Sequence, residues 1–394
     1  MFSRRVPQDL GRNRLTQAIE RMRAERRSFI DLTSTNPTRA GFAYPSDLLA
    51  PLAHPQALEY TASPFGMADA RAAVSDDYAR QCLDVPPERV VLTASTSEAY
   101  SLLFKLLADA GDEILIPRPS YPLFDHLSRL DVVHARPYDL DYHGVWSIDF
   151  ASVERALTDR TRAVLIVSPN NPTGSFVSRA ELDRLAALCA DRDLALVVDE
   201  VFADYELSAG AASQAGRGPT VTRALTCSLG GLSKSVGLPQ AKLGWMAVSG
   251  PSALVVAALA RLEIICDTYL SVSTPVQVAA RSLLREGAAV RREIGQRVVA
   301  NYAALTRAVA AVPTCSVLRS DGGWSAVVRV PAVEHEDDLV VNLLTVDGVL
   351  THPGYFFDFP YEAFLVISLL PPADSFADGI NRILRHFACK VGTS

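Results

Sequence analysis

Seven short apolar runs, separated by longer amphipathic stretches, decide most of what this chain can become. They are VVLTAS (90–95), EILIP (113–117), VVHARPY (132–138), AVLIVSP (163–169), LALVVDE (194–200), ALTCSL (224–229) and GWMAVSG (244–250). The runs are apolar at successive positions rather than alternate ones, as strands covered by helices on both faces must be. Between them lie helical patterns such as SRAELDRLAALCADRD (178–193), which opens on a serine with an acidic residue three positions on, the signature of a capping box. Strands and helices in this alternation predict an α/β fold built on a doubly wound, mostly parallel seven-stranded sheet.

The rhythm changes after about residue 275, where a long helical tract runs into the segments GGWSAVVRV (322–330) and FLVISLL (364–370). The first 46 residues lack the strand–helix alternation as well. The expected division is therefore a large domain over 47–287 and a smaller α+β domain assembled from 1–46 and 288–394.

Composition excludes several function classes. A formal net charge of −6 argues against a nucleic-acid partner, since phosphate binding wants clustered Lys and Arg. The N-terminal arginines from Arg4 to Arg27 are interleaved with Asp9, Glu20 and Glu25 and read as a solvated helix face. No apolar run approaches the roughly 18 residues of a membrane span, and MFSRRVPQDL has no signal-peptide core. The expected location is the cytoplasm. Six cysteines without CxxC pairs and seven histidines without HExxH spacing signal neither a disulfide framework nor a metal site.

In open α/β sheets a ligand sits beyond the carboxyl ends of the strands, so the residues there carry the chemistry. The first strand runs into Ser95, Thr96 and Ser97 at a helix start, which suits a phosphate but, taken alone, reads as plain capping. The fourth ends in Asn170, Asn171, Pro172 and Gly174, a turn, and the fifth in Asp199, a carboxylate needing a cationic partner if buried. The sixth enters GGLSKSVGLPQAKLG. Lys234 there is a phosphate contact, a covalent catalyst or a solvated lysine. It is not the lysine of an ATP-binding loop, because no glycine directly precedes it. A phosphate cradle, an amide, a buried carboxylate and a lysine at successive strand ends are the set that pyridoxal phosphate demands.

The chain resembles the fold type I pyridoxal-phosphate enzymes, specifically the class I/II aminotransferases, over essentially its full length. The carrying residues are YTASPFGMADAR from Tyr60, ASTSEA (94–99), PSY (119–121), NNPTG (170–174), DEVFADY (199–205) and LSKSVGLPQAKLG (232–244). The resemblance implies that Lys234 holds pyridoxal 5′-phosphate as a Schiff base and serves as the proton carrier. It implies that Asp199 pairs with the pyridine nitrogen, Asn171 donates to the phenolic oxygen and Tyr121 stacks on the ring. Ser95, Thr96, Ser97, Ser233 and Lys242 would hold the phosphate, with Tyr60 reaching it from the second subunit of a homodimer. Thr35, Arg39, Trp324, Tyr355 and Phe356 would line the substrate side.

Four positions depart from the family pattern. Phe202 stands where a tyrosine is usual, Lys242 where an arginine grips the phosphate, and Thr35 where glycine is common. Val366 occupies the place of the arginine that clamps the substrate carboxylate, which leaves either a relocated arginine, Arg39 first and Arg118 second, or a neutral substrate end. The expected activity is transfer of an amino group from an amino acid or amine to a 2-oxo acid. A β-lyase, decarboxylase or oxidase on the same scaffold is the alternative. A non-catalytic ligand-sensing domain is a third reading, from a different class.

Overall fold

The computed structural model describes residues 2–270 and 272–391; Cys389 lies outside the described side chains. Among the described residues, eight strands form the central sheet: β1 (Val90–Thr93), β2 (Glu113–Arg118), β3 (His134–Tyr142), β4 (Trp146–Ile148), β5 (Thr161–Val167), β6 (Ala195–Asp199), β7 (Thr226–Gly231) and β8 (Gly244–Ser249). Their order is β1-β8-β7-β6-β5-β2-β3-β4. β7, β6, β5, β2 and β3 run parallel, whereas β8 is antiparallel to both neighbours and β4 is antiparallel to β3. The sequence reading lacks β4. It is a three-residue strand joined to β3 by a tight turn, with Gly144 at φ 85° in the left-handed region that glycine enters without strain.

The apolar runs are buried on both faces because a helix layer covers each. Leu165, Val197 and Leu229 pack into one cluster with Tyr100 and Leu103 of the helix α1 (Thr96–Leu107). Val164, Ile166, Leu196 and Val198 pack into another with Leu182 and Leu185 of α2 (Arg179–Asp191). α2 begins with the capping box read from sequence, Ser178 and Glu181 each receiving the other's backbone N–H.

A second sheet joins β9 (Ser316–Leu318), β10 (Ser325–Arg329), β11 (His352–Pro353) and β12 (Phe364–Ser368) in the order β9-β10-β12-β11. The N-terminal segment is stitched to this part of the chain: Ile30–Asp31 pairs in parallel with Val349–Leu350, and Ser368 N–H donates to the Leu32 carbonyl. The long helical tract is two helices, α4 (Thr274–Glu286) and α5 (Ala288–Ala310), following α3 (Ser252–Tyr269). Gly287 divides them where a Cβ would meet the Leu283 carbonyl at 2.5 Å and Val236 at 2.7 Å, so the break lets the helices press against the loop that carries Lys234.

Candidate active site

All the strand-end residues singled out above fall on one edge of the central sheet. Asp199 closes β6 and is buried; its Oδ2 accepts from the Tyr100 hydroxyl at 2.6 Å and its Oδ1 from the Val201 N–H at 3.0 Å. Burial pushes the Asp199 carboxyl above the usual carboxylate range and the Glu200 charge adds to this, while the two hydrogen bonds and the Lys234 charge pull it down. The Tyr100 phenol is held well above its usual value by burial and by Asp199, so it stays a donor. Sequence reasoning missed Tyr100; the available signal was a phenol on the apolar face of the helix that starts at Ser95.

Lys234 sits in a single helical turn, Leu232–Ser235, directly after β7. Its Nζ lies 4.9 Å from the centre of the Trp324 ring and 5.4 Å from that of Phe202, whose two rings meet edge-on at 5.3 Å. Burial lowers the Lys234 pKa to about 8, against an upward pull from Asp199. The turn is anchored through its carbonyls: Tyr205 OH donates to Lys234 O at 2.5 Å, Arg291 Nε to Ser235 O at 2.7 Å and Tyr44 OH to Gly237 O at 2.7 Å. None of these three anchors was read from the sequence, because each lies far from Lys234 along the chain.

Ser95 caps α1, its Oγ accepting from the Glu98 N–H at 3.1 Å, while Glu98 Oε2 takes the Ala94 N–H at 2.5 Å. That leaves the Thr96 and Ser97 N–H groups without an acceptor among the described residues. Opposite them is Gly244, where a Cβ would lie 3.2 Å from Thr96 N and 3.0 Å from the Ser95 carbonyl carbon. The glycine lets its strand come close to the start of α1, at the positive end of a helix whose free amides suit a phosphate. Lys242, exposed and at φ 54°, stands two residues before it, and Ser233 adjoins Lys234.

Asn171 follows β5, and its Oδ1 is 3.5 Å from Ser325 Oγ on β10, which brings the second sheet to the site. Tyr121 is partly exposed, its ring edge-on to Phe124 at 5.9 Å; burial, then the Asp199 charge, raise its phenol pKa. Phe356 packs beside His352 at 5.6 Å. Thr35, Arg39 and Tyr60 are exposed. The Tyr355 hydroxyl donates to Asp337 at 2.5 Å. Arg118 pairs with Asp139, with Nε at 2.8 Å and Nη2 at 2.5 Å. Val366 is buried in an apolar cluster with Leu318, Val327, Phe357 and Phe359.

Among the described residues no helix is long and apolar enough to cross a membrane. The chain is 26% identical to the glutamate-pyruvate aminotransferase AlaA of Escherichia coli K12, covering 96% of this chain and 95% of that one. It is 27% identical to the alanine aminotransferase of Mycobacterium tuberculosis H37Rv, covering 93% and 87%. In fold it is similar to the alanine aminotransferase of Pyrococcus furiosus, with a TM-score of 0.86 at 22% identity over 95% and 96% of the two chains. The family profile for aminotransferase class I and II matches residues 50–375, and the chain belongs to that family of pyridoxal-phosphate-dependent aminotransferases.

Proposed function

We propose that the strand-end cluster around Lys234 is the catalytic centre, and that it moves an amino group from an α-amino acid to a 2-oxo acid. The observation that carries this reading is a buried lysine, lowered to about 8 by its surroundings, set beside a buried carboxylate and an open helix N-terminus. The residues suit pyridoxal phosphate on three counts: unspent amides at Thr96 and Ser97 with no side chain at Gly244 to block them, Asp199 for the pyridine nitrogen, and Lys234 for the aldehyde.

When bound, that cofactor supplies an electron sink for the pair left when a bond to the substrate α-carbon breaks. Lys234 would hold the cofactor's aldehyde and, once freed from it, would carry on Nζ the proton that leaves the substrate α-carbon; a pKa near 8 leaves a usable fraction of free amine near neutrality. The Trp324 and Phe202 rings on which the ammonium rests exclude water from that transfer. Asp199 keeps a proton on the ring nitrogen, and Tyr100 and the Val201 N–H hold the carboxylate in place. Asn171 donates to the phenolic oxygen, with no hydroxyl at Phe202 to assist it. Ser95, Thr96, Ser97, Ser233 and Lys242 take the phosphate, and Tyr121 covers the ring.

In this reading the protein is a cytoplasmic homodimer whose Tyr60 reaches the phosphate of the second copy. Support for a dimer comes from exposed apolar side chains on α3 and before α1: Val256, Ile264, Tyr269, Leu58 and Tyr60 are each more than half exposed. Pyruvate is the first acceptor to try, given the names of the Escherichia coli and Mycobacterium tuberculosis relatives. The test is to mix the holoenzyme with a panel of amino acids and plain amines, without acceptor, and follow the visible absorption of the cofactor. Transfer predicts conversion to the amine form of the cofactor, reversed by pyruvate or another 2-oxo acid. Release of ammonia or carbon dioxide without that conversion refutes it.

A further inference from the structure

The wall of the second sheet that faces Asn171 holds an unpartnered imidazole nitrogen. In β10, Ser325 and Val327 point to the same side, and Ser325 touches Asn171; Ala326 and Val328 point to the other side, into the main core. Val327 lies opposite Val366 of β12, and Val366 lies opposite His352 of β11. Directly opposed residues of antiparallel strands share a face. His352 therefore stands in one row with Val327 and Val366, on the face of this sheet from which Ser325 reaches Asn171. Its neighbours in that wall are apolar, and Phe356 and Phe357 fix its ring at 5.6 and 5.8 Å. Yet its Nδ1 is buried with no hydrogen-bond partner among the described residues. Such groups are rare, and each asks for a missing partner.

We propose that His352 is a specificity-determining residue that receives the carboxylate of the amino-acid donor through Nδ1. This rests on the reading of the site as a transaminase. A carboxylate enclosed by protein needs donors aimed at it, and valine at 366 offers none. Arg118 is held by Asp139, and Arg39 lies exposed. His352 is the imidazole in the same row as Val366, and its unpartnered nitrogen supplies the donor that the row otherwise lacks. Burial lowers the pKa of His352 while Asp31 pulls it upward, and an incoming carboxylate acts in the same direction as Asp31.

Two variants test this in the holoenzyme. His352→Phe keeps a ring between Phe356 and Phe357 but removes the donor; His352→Asn places an amide N–H near the position of Nδ1. The probes are L-alanine and L-phenylalanine as donors, 2-phenylethylamine as the donor without a carboxylate, and 3-phenylpropanoate as a carboxylate without an amine, its binding measured by calorimetry. His352→Phe is expected to raise KM for both amino acids at least tenfold, with kcat within threefold, and to weaken 3-phenylpropanoate to the same degree. His352→Asn should recover at least half of the loss on a logarithmic scale, and 2-phenylethylamine should be unaffected by either change. Unchanged KM for both amino acids in His352→Phe overturns the proposal, as does the same rise appearing in Arg39→Ala instead. A wild type that uses 2-phenylethylamine but neither amino acid also overturns it while leaving transamination intact. If no donor of any kind alters the cofactor spectrum, it is the transaminase reading that has failed.

Discussion

Tyr100→Phe removes a single hydroxyl, and the structure says what that hydroxyl does. It donates to the buried Asp199 at 2.6 Å, and a hydrogen bond to a charged group contributes about 1.5–3 kcal/mol. Losing it removes an interaction that favours the ionised carboxylate, and so raises the Asp199 pKa further. The folded-state pKa of Asp199 already lies above its unfolded value. For a carboxylate shifted in this direction, the folded state binds the proton more tightly. Stability is thus full below the unfolded pKa and falls as pH rises toward the folded pKa. The substitution extends that window upward. The cofactor-free variant should accordingly lose about 1.5–3 kcal/mol at a pH high enough to ionise the carboxyl. At a pH low enough to protonate it, where only a neutral bond is lost, the loss should be nearer 0.5–1.5 kcal/mol. Denaturant unfolding of both proteins at the two pH values, at one protein concentration, measures the difference. An equal loss at both pH values would refute the claim that the hydroxyl stabilises the ionised form.

Other consequences are as direct. Gly244→Ala puts a methyl against the Ser95–Thr96 backbone at 3.0–3.2 Å; overpacking of this kind costs about 1–3 kcal/mol, so cofactor affinity measured by equilibrium dialysis should fall roughly five- to a hundredfold. Phe202→Tyr supplies a second donor beside Asn171, so the pH at which the bound cofactor changes its visible absorption should move down; no change, or a rise, contradicts the placement of Phe202. In the cofactor-free protein Lys234 titrates near 8, so acylation of its amine, followed by mass spectrometry, should be half-maximal near that pH and slow below it. A midpoint near that of an exposed lysine argues that Nζ is solvated.

Much of the scaffold was legible because its signal is local. Each apolar run is short enough to name a strand by itself, and the successive, non-alternating burial follows from covering both faces of the sheet. β4 was not legible, because three residues beyond a glycine turn carry no periodicity. Nor was the break at Gly287, where the reason for glycine is Val236 and the Leu283 carbonyl rather than any turn pattern. At the site, Lys234, Asp199 and Asn171 could be picked out because a strand end announces itself. The groups that touch them could not: Tyr100 reaches Asp199, and Tyr205 and Arg291 reach the turn of Lys234, across contacts that only the folded chain creates. The same limit applies to side chains beside a motif: a tyrosine or arginine there looks unpaired in sequence, and in space Asp337 and Asp139, 18 and 21 residues away, engage Tyr355 and Arg118.

The central claim is that Lys234 is the residue to which the cofactor is joined. Reduction of the holoenzyme with borohydride, followed by proteolysis and peptide mapping, should place the stable pyridoxyl group on Lys234, and Lys234→Ala should carry no such label. Recovery of the group on Lys105 or Lys242 in the wild-type protein would contradict the account.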